Sequence, residues 1–302
     1  MTVSSGISRA GQGRLRGLAM ASVGVVVLSF DAALVRLAGA EGWDVVFWRG
    51  LLMALAVSGL LLALEGRYAL RLWRRGGWAA AGSGLSFGLN SILFVFAVLN
   101  THAANVLVLF ATAPMFSALF TWLFLREPIQ PRTWWTAAAV VAGTAILLSG
   151  PAEGGGRWGD LAALLAAVNM GANLTLLRAR PEIHRMPVVA TGGLVAALLA
   201  APWAAPLALG PESYLALGVM GLLQMPLALV LIAQSTRYLP SPEVSLVLLL
   251  EAALGPVWVW LLFAEVPPAA SWLGGGVILT ALLAYFARDA WAGAVGWRHG
   301  RS

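Results

Sequence analysis

Four ionisable side chains stand inside long apolar runs and are the residues best placed to do chemistry: Asp31, Arg36, Arg49 and Glu251. A charge near the middle of a bilayer costs ~2.5–3.5 kcal/mol on the insertion scale, so it persists only where it is paired or faces water. Asp31 could bind an amine or carry a proton, or it could be the structural partner of Arg36 or Arg49. Arg49, with Trp48 beside it, could grip a substrate carboxylate through two parallel N–H bonds, or it could hold Asp31. Arg36 stands near the end of its run and is expected to snorkel to the surface. Glu251 is the acid set deepest in the second half of the chain and suits a proton site on a cavity wall.

Amides come next. Asn90, Asn169, Asn173 and Gln224 fall near the middle of apolar runs. Asn169 and Asn173 are one helical turn apart and share a face. They could fork hydrogen bonds to a zwitterion, or they could be interhelical glue worth about 0.6–2 kcal/mol each. Pro114, Pro226 and Pro256 each remove a helix hydrogen bond and free the carbonyls of Phe110, Leu222 and Ala252. Such positions serve as hinges around a central site, or as bends tolerated inside the protein.

Other chemistry finds no support in the residues. With no cysteine, disulfides, thiolate metal sites and thiol nucleophiles are excluded. No lysine is present either, which removes a Schiff base. His102, His184 and His299 are scattered and belong to no HExxH or nucleophile elbow. Neither a metal nor another cofactor is expected. The glycine run at 154–156 has no Lys-Ser/Thr after it and reads as a linker, not a phosphate loop. A pI near 10.9 could suggest nucleic acid, but no soluble module carries a basic face, and none is expected to bind.

The elements that position these residues follow from composition. The chain has 302 residues, 60% of them hydrophobic and 11% charged, with a mean hydropathy of +0.84. Apolar runs of about 20 residues match the thickness of a bilayer core, and in hydrocarbon such runs must be helices. The fold class expected is therefore all-α integral membrane, with ten spans near 16–38, 44–64, 77–99, 103–125, 132–150, 158–178, 187–208, 213–236, 243–264 and 270–288. The first is longer than a signal-peptide core and is read as a retained helix. With the N-terminus inside, all of the 19 arginines except Arg36, Arg49 and Arg157 fall on the cytoplasmic side. That predicts a bacterial inner-membrane protein with both termini cytoplasmic.

An internal repeat organises the spans. Sliding the chain by 138 residues puts Trp122 on Trp260, Glu127 on Glu265 and Trp134 on Trp272. A weaker match, offset by 142, puts Asp31 on Asn173 and Arg36 on Arg178. The units expected are 1–153 and 154–302, each with five spans. Because five is odd, the second unit enters the membrane upside down, an arrangement common in secondary transporters. Glu127 and Glu265 follow their spans and are expected to act in capping or salt bridges. Gly84 and Gly88, and the Ala137–Gly143 face, allow close helix packing.

These motifs resemble the drug/metabolite transporter superfamily, in particular its ten-helix group with two EamA-type repeats. The resemblance rests on Pro114 followed by Leu125-Arg126-Glu127-Pro128 and Trp134, on Pro256 followed by Phe263-Ala264-Glu265 and Trp272-Leu273-Gly274, and on Phe47-Trp48-Arg49-Gly50. It implies export of small metabolites, including amino acids, by alternating access around a cavity lined by spans one to four and six to nine. The partners implied are a small-molecule substrate and the lipid bilayer; one buried acid per half is compatible with proton coupling and equally with facilitated diffusion. Asp31 or Glu251 would meet an amine, Arg49 a carboxylate and the aromatic walls an apolar side chain. A nucleotide-sugar, lipid-linked sugar or drug carrier is the alternative, and a non-transporting membrane protein a more distant one. No enzyme activity is expected.

Overall fold

The computed structural model describes residues 4–126, 131–149, 157–235, 238–239 and 241–299, and every regular element among them is helical. α1 (Ser4–Ser29) and α2 (Asp31–Leu37) make one interrupted run, followed by α3 (Gly42–Glu65), the short α4 (Ala69–Arg75) and α5 (Gly77–Asn100). α6 (Ala103–Phe110) and α7 (Ala113–Leu125) make a second interrupted run, and α8 (Pro131–Ser149) follows. The second half holds α9 (Arg157–Ala179), α10 (Arg185–Ala200), α11 (Pro211–Gly218), a π-helical turn at Val219–Gln224, α12 (Met225–Ser235), α13 (Ser241–Phe263) and α14 (Ala269–His299). Glu127 and the linker residues 150–156 lie outside the described residues.

Six stretches are long and apolar enough to cross a membrane: Leu15–Leu37, Gly42–Arg75, Gly77–Asn100, Ala103–Leu125, Arg157–Ala179 and Pro211–Ile232. Shorter apolar helices cover Arg185–Ala200, Val247–Phe263 and Ala269–Tyr285. α8 opens on Arg132, Thr133 and two tryptophans, which dilute its apolar run.

The packing is that of a protein whose solvent is apolar. Buried positions are crowded with alanine, such as Ala32, Ala33, Ala163, Ala166, Ala167 and Ala196, while Trp78, Trp135, Val141, Leu198 and Leu261 face outward. Lipid tails are as apolar as leucine, so helices associate where small residues let their backbones approach. Two crossings show this reciprocally. A Cβ on Gly50 would strike the carbonyl of Gly193, and one on Gly193 the carbonyl of Gly50. Gly143 and Gly274 meet the same way, joining α8 to α14. Gly84 and Gly88 pack α5 on α10 at Thr191 and Gly192.

α10 thus lies against α3 and α5, and α9 against α5, α6 and α7. α1 packs on α12 and α13, the π-turn on α3, and α13 on α6 and α14. Arg126 (φ 56°) and Ala264 (φ 52°) are the only non-glycine residues with positive φ among those described, and they stand 138 positions apart. Each turns the chain immediately before a glutamate, Glu127 or Glu265. One expectation needs correcting. Pro114 does not kink a continuous helix: the run breaks at Ala111–Thr112 and Pro114 sits in the first turn of α7, where a missing N–H costs nothing. Pro226 directly follows the π-turn inside the continuous helical run 211–235, and Pro256 is interior to α13.

Candidate functional site

The interruption of the first run is the point on which the polar residues converge. α1 ends at Ser29, Phe30 makes the turn, and Asp31 opens α2. The Ser29 hydroxyl donates to the Val26 carbonyl at 2.7 Å and accepts the indole N–H of Trp258 at 2.9 Å. The Trp258 ring stacks on Phe30 with centroids 4.4 Å apart. Gly255 brings α13 to the break: a Cβ there would be in ordinary contact with the Ser29 carbonyl, at 3.5 Å, but would strike the Leu107 side chain on α6.

Asp31 and Arg49 form a buried ion pair, Nη2 donating to Oδ2 at 2.8 Å, with the side chains only 4% and 6% exposed. The guanidinium also stands over the Phe94 ring at 5.4 Å, and Phe94 meets Phe110 edge-on at 5.7 Å. Glu251, on α13 two turns before Trp258, interacts electrostatically with both Asp31 and Arg49. Gln224 ends the π-turn and donates from Nε2 to the Val27 and Leu28 carbonyls, both at 3.2 Å. Gly221, one turn earlier, lies against Leu52 and the Arg49 carbonyl. Asn90 is buried one turn before Phe94 on α5.

Several of these polar atoms have no protein partner. They are Asp31 Oδ1, Arg49 Nε and Nη1, Asn90 Oδ1 and Gln224 Oε1. An orphaned buried polar atom costs roughly 1–3 kcal/mol, more when charged. Such atoms gathered around one charged pair mark a place for a ligand or water. The unpartnered guanidinium nitrogens, Nε and Nη1, are donors suited to a carboxylate or water oxygen. The orphaned oxygens suit an ammonium or hydroxyl. Phe30, Trp258 and Phe94 supply an apolar wall.

Not every candidate from the sequence joins this cluster. Asn169 accepts from Ser86 Oγ at 2.9 Å and donates to the Ser86 carbonyl at 2.7 Å. Asn173 accepts from Ser83 Oγ at 2.5 Å. Both amides tie α9 to α5. Trp48 donates to the Pro206 carbonyl at 3.0 Å and meets Tyr214 edge-on, which makes it a strut for the 201–210 loop. Arg36 does not snorkel free: it pairs with Glu265 and donates to the Val98 and Thr101 carbonyls at 3.1 and 2.7 Å. Phe30, Phe94 and Trp258 were missed from sequence. Trp258 carries a signal in hindsight, because seven residues after Glu251 returns to the same helix face.

Two cavities lie beside the cluster without touching Asp31 or Arg49. One, of about 420 Å³, is lined by Glu41, Trp43, Ile92, Phe96 and Asn100. The other, of about 640 Å³, is an apolar groove between α6, α13 and α14 bounded by Ala252, Pro256, Trp260, Ser271 and Trp272. No cluster of three or more potential metal ligands occurs among the described residues.

Helices of membrane-crossing length, an alanine-rich interior, an outward-facing apolar surface and a buried charged centre define a multi-pass membrane protein. The sequence model of the EamA-like transporter family matches twice, over residues 15–149 and 157–287, and the chain belongs to that family, within the drug/metabolite transporters. It is similar to the pseudopaline exporter CntI of Pseudomonas aeruginosa, 27% identical over 278 residues, spanning 89% of this chain and 95% of that protein. The riboflavin transporter of Rhizobium johnstonii is 32% identical over 191 residues, 59% of this chain and 60% of that one. A crystal structure with 19% sequence identity shares the fold at a TM-score of 0.60, covering 90% of this chain and 94% of that one. The protein is thus a membrane transporter of small metabolites.

Proposed function

We propose that the protein is a secondary transporter exporting amino acids, or similar small amphipathic metabolites, across the bacterial inner membrane by alternating access. The observation that carries this reading is the charge count at the interruption of α1 and α2. Two carboxyl groups, Asp31 and Glu251, interact electrostatically with a single guanidinium, Arg49, and only Asp31 is bonded to it. A buried charge without a counter-charge is strongly unfavourable, so the surplus carboxyl is satisfied either by a proton or by the ammonium of a substrate. That alternation supplies a route to proton-coupled export. Asn90 and Gln224 add acceptors, and the Phe30–Trp258 stack favours an aromatic or other apolar side chain.

Architecture supports the same reading. Ten spans in two inverted units, 1–153 and 154–302, fit the pattern of contacts, and the arginine distribution supports cytoplasmic termini. α3 crosses α10 and α8 crosses α14 through reciprocal glycines. The α5–α9 contact has its counterpart in α12–α1, and α7–α9 in α13–α1. The amide ties between α9 and α5 are likewise matched by Gln224 reaching α1. The left-handed turns at Arg126 and Ala264 fall at equivalent positions.

A second reading gains weight from the aromatic stack together with the riboflavin-transporting relative: a ring-bearing metabolite other than an amino acid. Reconstituted proteoliposomes given labelled amino acids and flavins, with and without a pH gradient, distinguish the two. The expected result is gradient-dependent flux of an amino acid in the native protein and gradient-independent flux in Glu251→Gln. Absence of flux for every compound would refute the transport assignment. Normal flux with unchanged pH dependence in Glu251→Gln would remove Glu251 from the mechanism.

A further inference from the structure

One end of the bundle carries a polar network separate from the buried centre. Arg36 on α2 pairs with Glu265, in the turn between α13 and α14, while its guanidinium also donates to the Val98 and Thr101 carbonyls. The other Glu265 oxygen accepts the backbone N–H of Ala103 at 3.0 Å and meets His102 Nδ1 at 3.1 Å, capping the start of α6. Thr101 and Asn105 both donate to Asp160 on α9, at 2.7 and 2.9 Å, and the Ser271 hydroxyl donates to Asn105. Arg36 and residues 101–105 belong to the first half of the chain, and Asp160, Glu265 and Ser271 to the second. One carboxylate therefore ties the α2 end, the α5–α6 turn and the α13–α14 turn together. The Glu265 and Arg36 side chains are only 13% and 22% exposed.

We infer that Glu265 is the pin of a gate, and that its ion pair with Arg36 closes this end of the central site. The inference rests on the alternating-access reading and on the proposed orientation, which makes this the extracytoplasmic end. Three features favour a breakable latch over a permanent weld. The tie is made by polar groups at helix ends, whereas the glycine crossings of α3 with α10 and α8 with α14 bring backbones into contact. It joins α2 to the α13–α14 turn, two segments that must part at this end for solute to leave. It also holds α2, the segment beyond the interruption at Phe30, so release of Arg36 frees the short helix that begins with Asp31.

The natural chain has no cysteine, so one introduced thiol is a clean reporter. Ser91 is buried on α5, about 15 Å along the helix below Thr101 at 1.5 Å per residue. Ser91→Cys, challenged with a membrane-impermeant maleimide from the outer face, should react slowly. Adding Glu265→Gln, which keeps an acceptor for the Ala103 N–H, should speed labelling about tenfold, as should Arg36→Gln, a change of ~1.4 kcal/mol in the open population. The Glu265→Gln/Arg36→Gln pair should fall short of the product of the two single effects, because both remove the same ion pair. Unchanged labelling in either folded single variant, additive effects in the pair, or acceleration only from the cytoplasmic face would each overturn the gate. The readout needs no substrate, so a failed transport assay with accelerated labelling would sink the proposed function and leave the gate standing.

Discussion

Removing the two partners of the buried ion pair one at a time should have unequal consequences. Arg49→Gln leaves Asp31 and Glu251 facing each other without a cation, and it also removes the contact over Phe94. Breaking a buried pair from one side costs ~3–5 kcal/mol, and the lost ring contact adds ~0.5–2 kcal/mol. Asp31→Asn leaves Arg49 with Glu251 as a remaining counter-charge, so the expected cost falls to ~1–3 kcal/mol, that of an impaired buried hydrogen bond. The double variant should cost less than the sum of the two, because it removes both mismatched charges together. Membrane proteins commonly unfold irreversibly, so the assay is the inactivation half-life in detergent at fixed temperature, followed by tryptophan fluorescence. The half-life of Arg49→Gln should be at least about tenfold shorter than that of Asp31→Asn, at 1.4 kcal/mol per decade. Equal damage from the two single variants, or strict additivity in the double, would refute the three-charge account of the site.

Further outcomes follow from packing and backbone geometry. Gly50→Ala should destabilise by ~1–3 kcal/mol, because its Cβ meets the Gly193 carbonyl and lies 3.0 Å from the Ala197 nitrogen. Gly276→Ala, which meets nothing within 4 Å, should be neutral or stabilising by up to ~1 kcal/mol, and thermal unfolding in detergent separates the two. Ala264→Gly relieves a left-handed backbone at φ 52° and should raise the unfolding temperature, by a free energy of ~1 kcal/mol; a fall would contradict strain there. Trp258→Phe keeps the stack on Phe30 but loses the bond to Ser29, a loss of ~0.5–1.5 kcal/mol, detectable as weaker substrate binding in a competition assay if the break is the binding site.

Much of this molecule is legible in its sequence because the bilayer restricts what a chain can do. The helical class follows from the apolar runs and the repeat from its matched motifs, and the cost of a charge within such runs is what singles out Asp31, Arg36, Arg49 and Glu251 as candidates. What stayed hidden was pairing. Asn169 and Asn173 looked available because a helical wheel shows which face they share, not that Ser83 and Ser86 of α5 occupy it. Arg36 looked free to reach the surface because its partner, Glu265, lies far along the chain. The interruption at Phe30 was also invisible, because no proline or glycine lies at it and Trp258, which stacks there, is far along the chain. The one at Ala111–Thr112 did carry a signal, Pro114, which opens α7 and has no N–H to offer the preceding turn.

The reciprocal glycine crossings carry a mechanical consequence. Where two backbones touch, neither helix can slide without lifting away from the other, so α3 with α10 and α8 with α14 behave as two stiff trusses. Displacement must then be taken up elsewhere, at Phe30, at Ala111–Thr112 and in the π-turn of Val219–Gln224, where the ladder of backbone hydrogen bonds is already broken or loosened. The carrier is expected to flex at these three short joints against a fixed frame. Substitutions that slow its cycle while leaving solute affinity intact should therefore gather at those joints, and substitutions in the trusses should cost assembly instead.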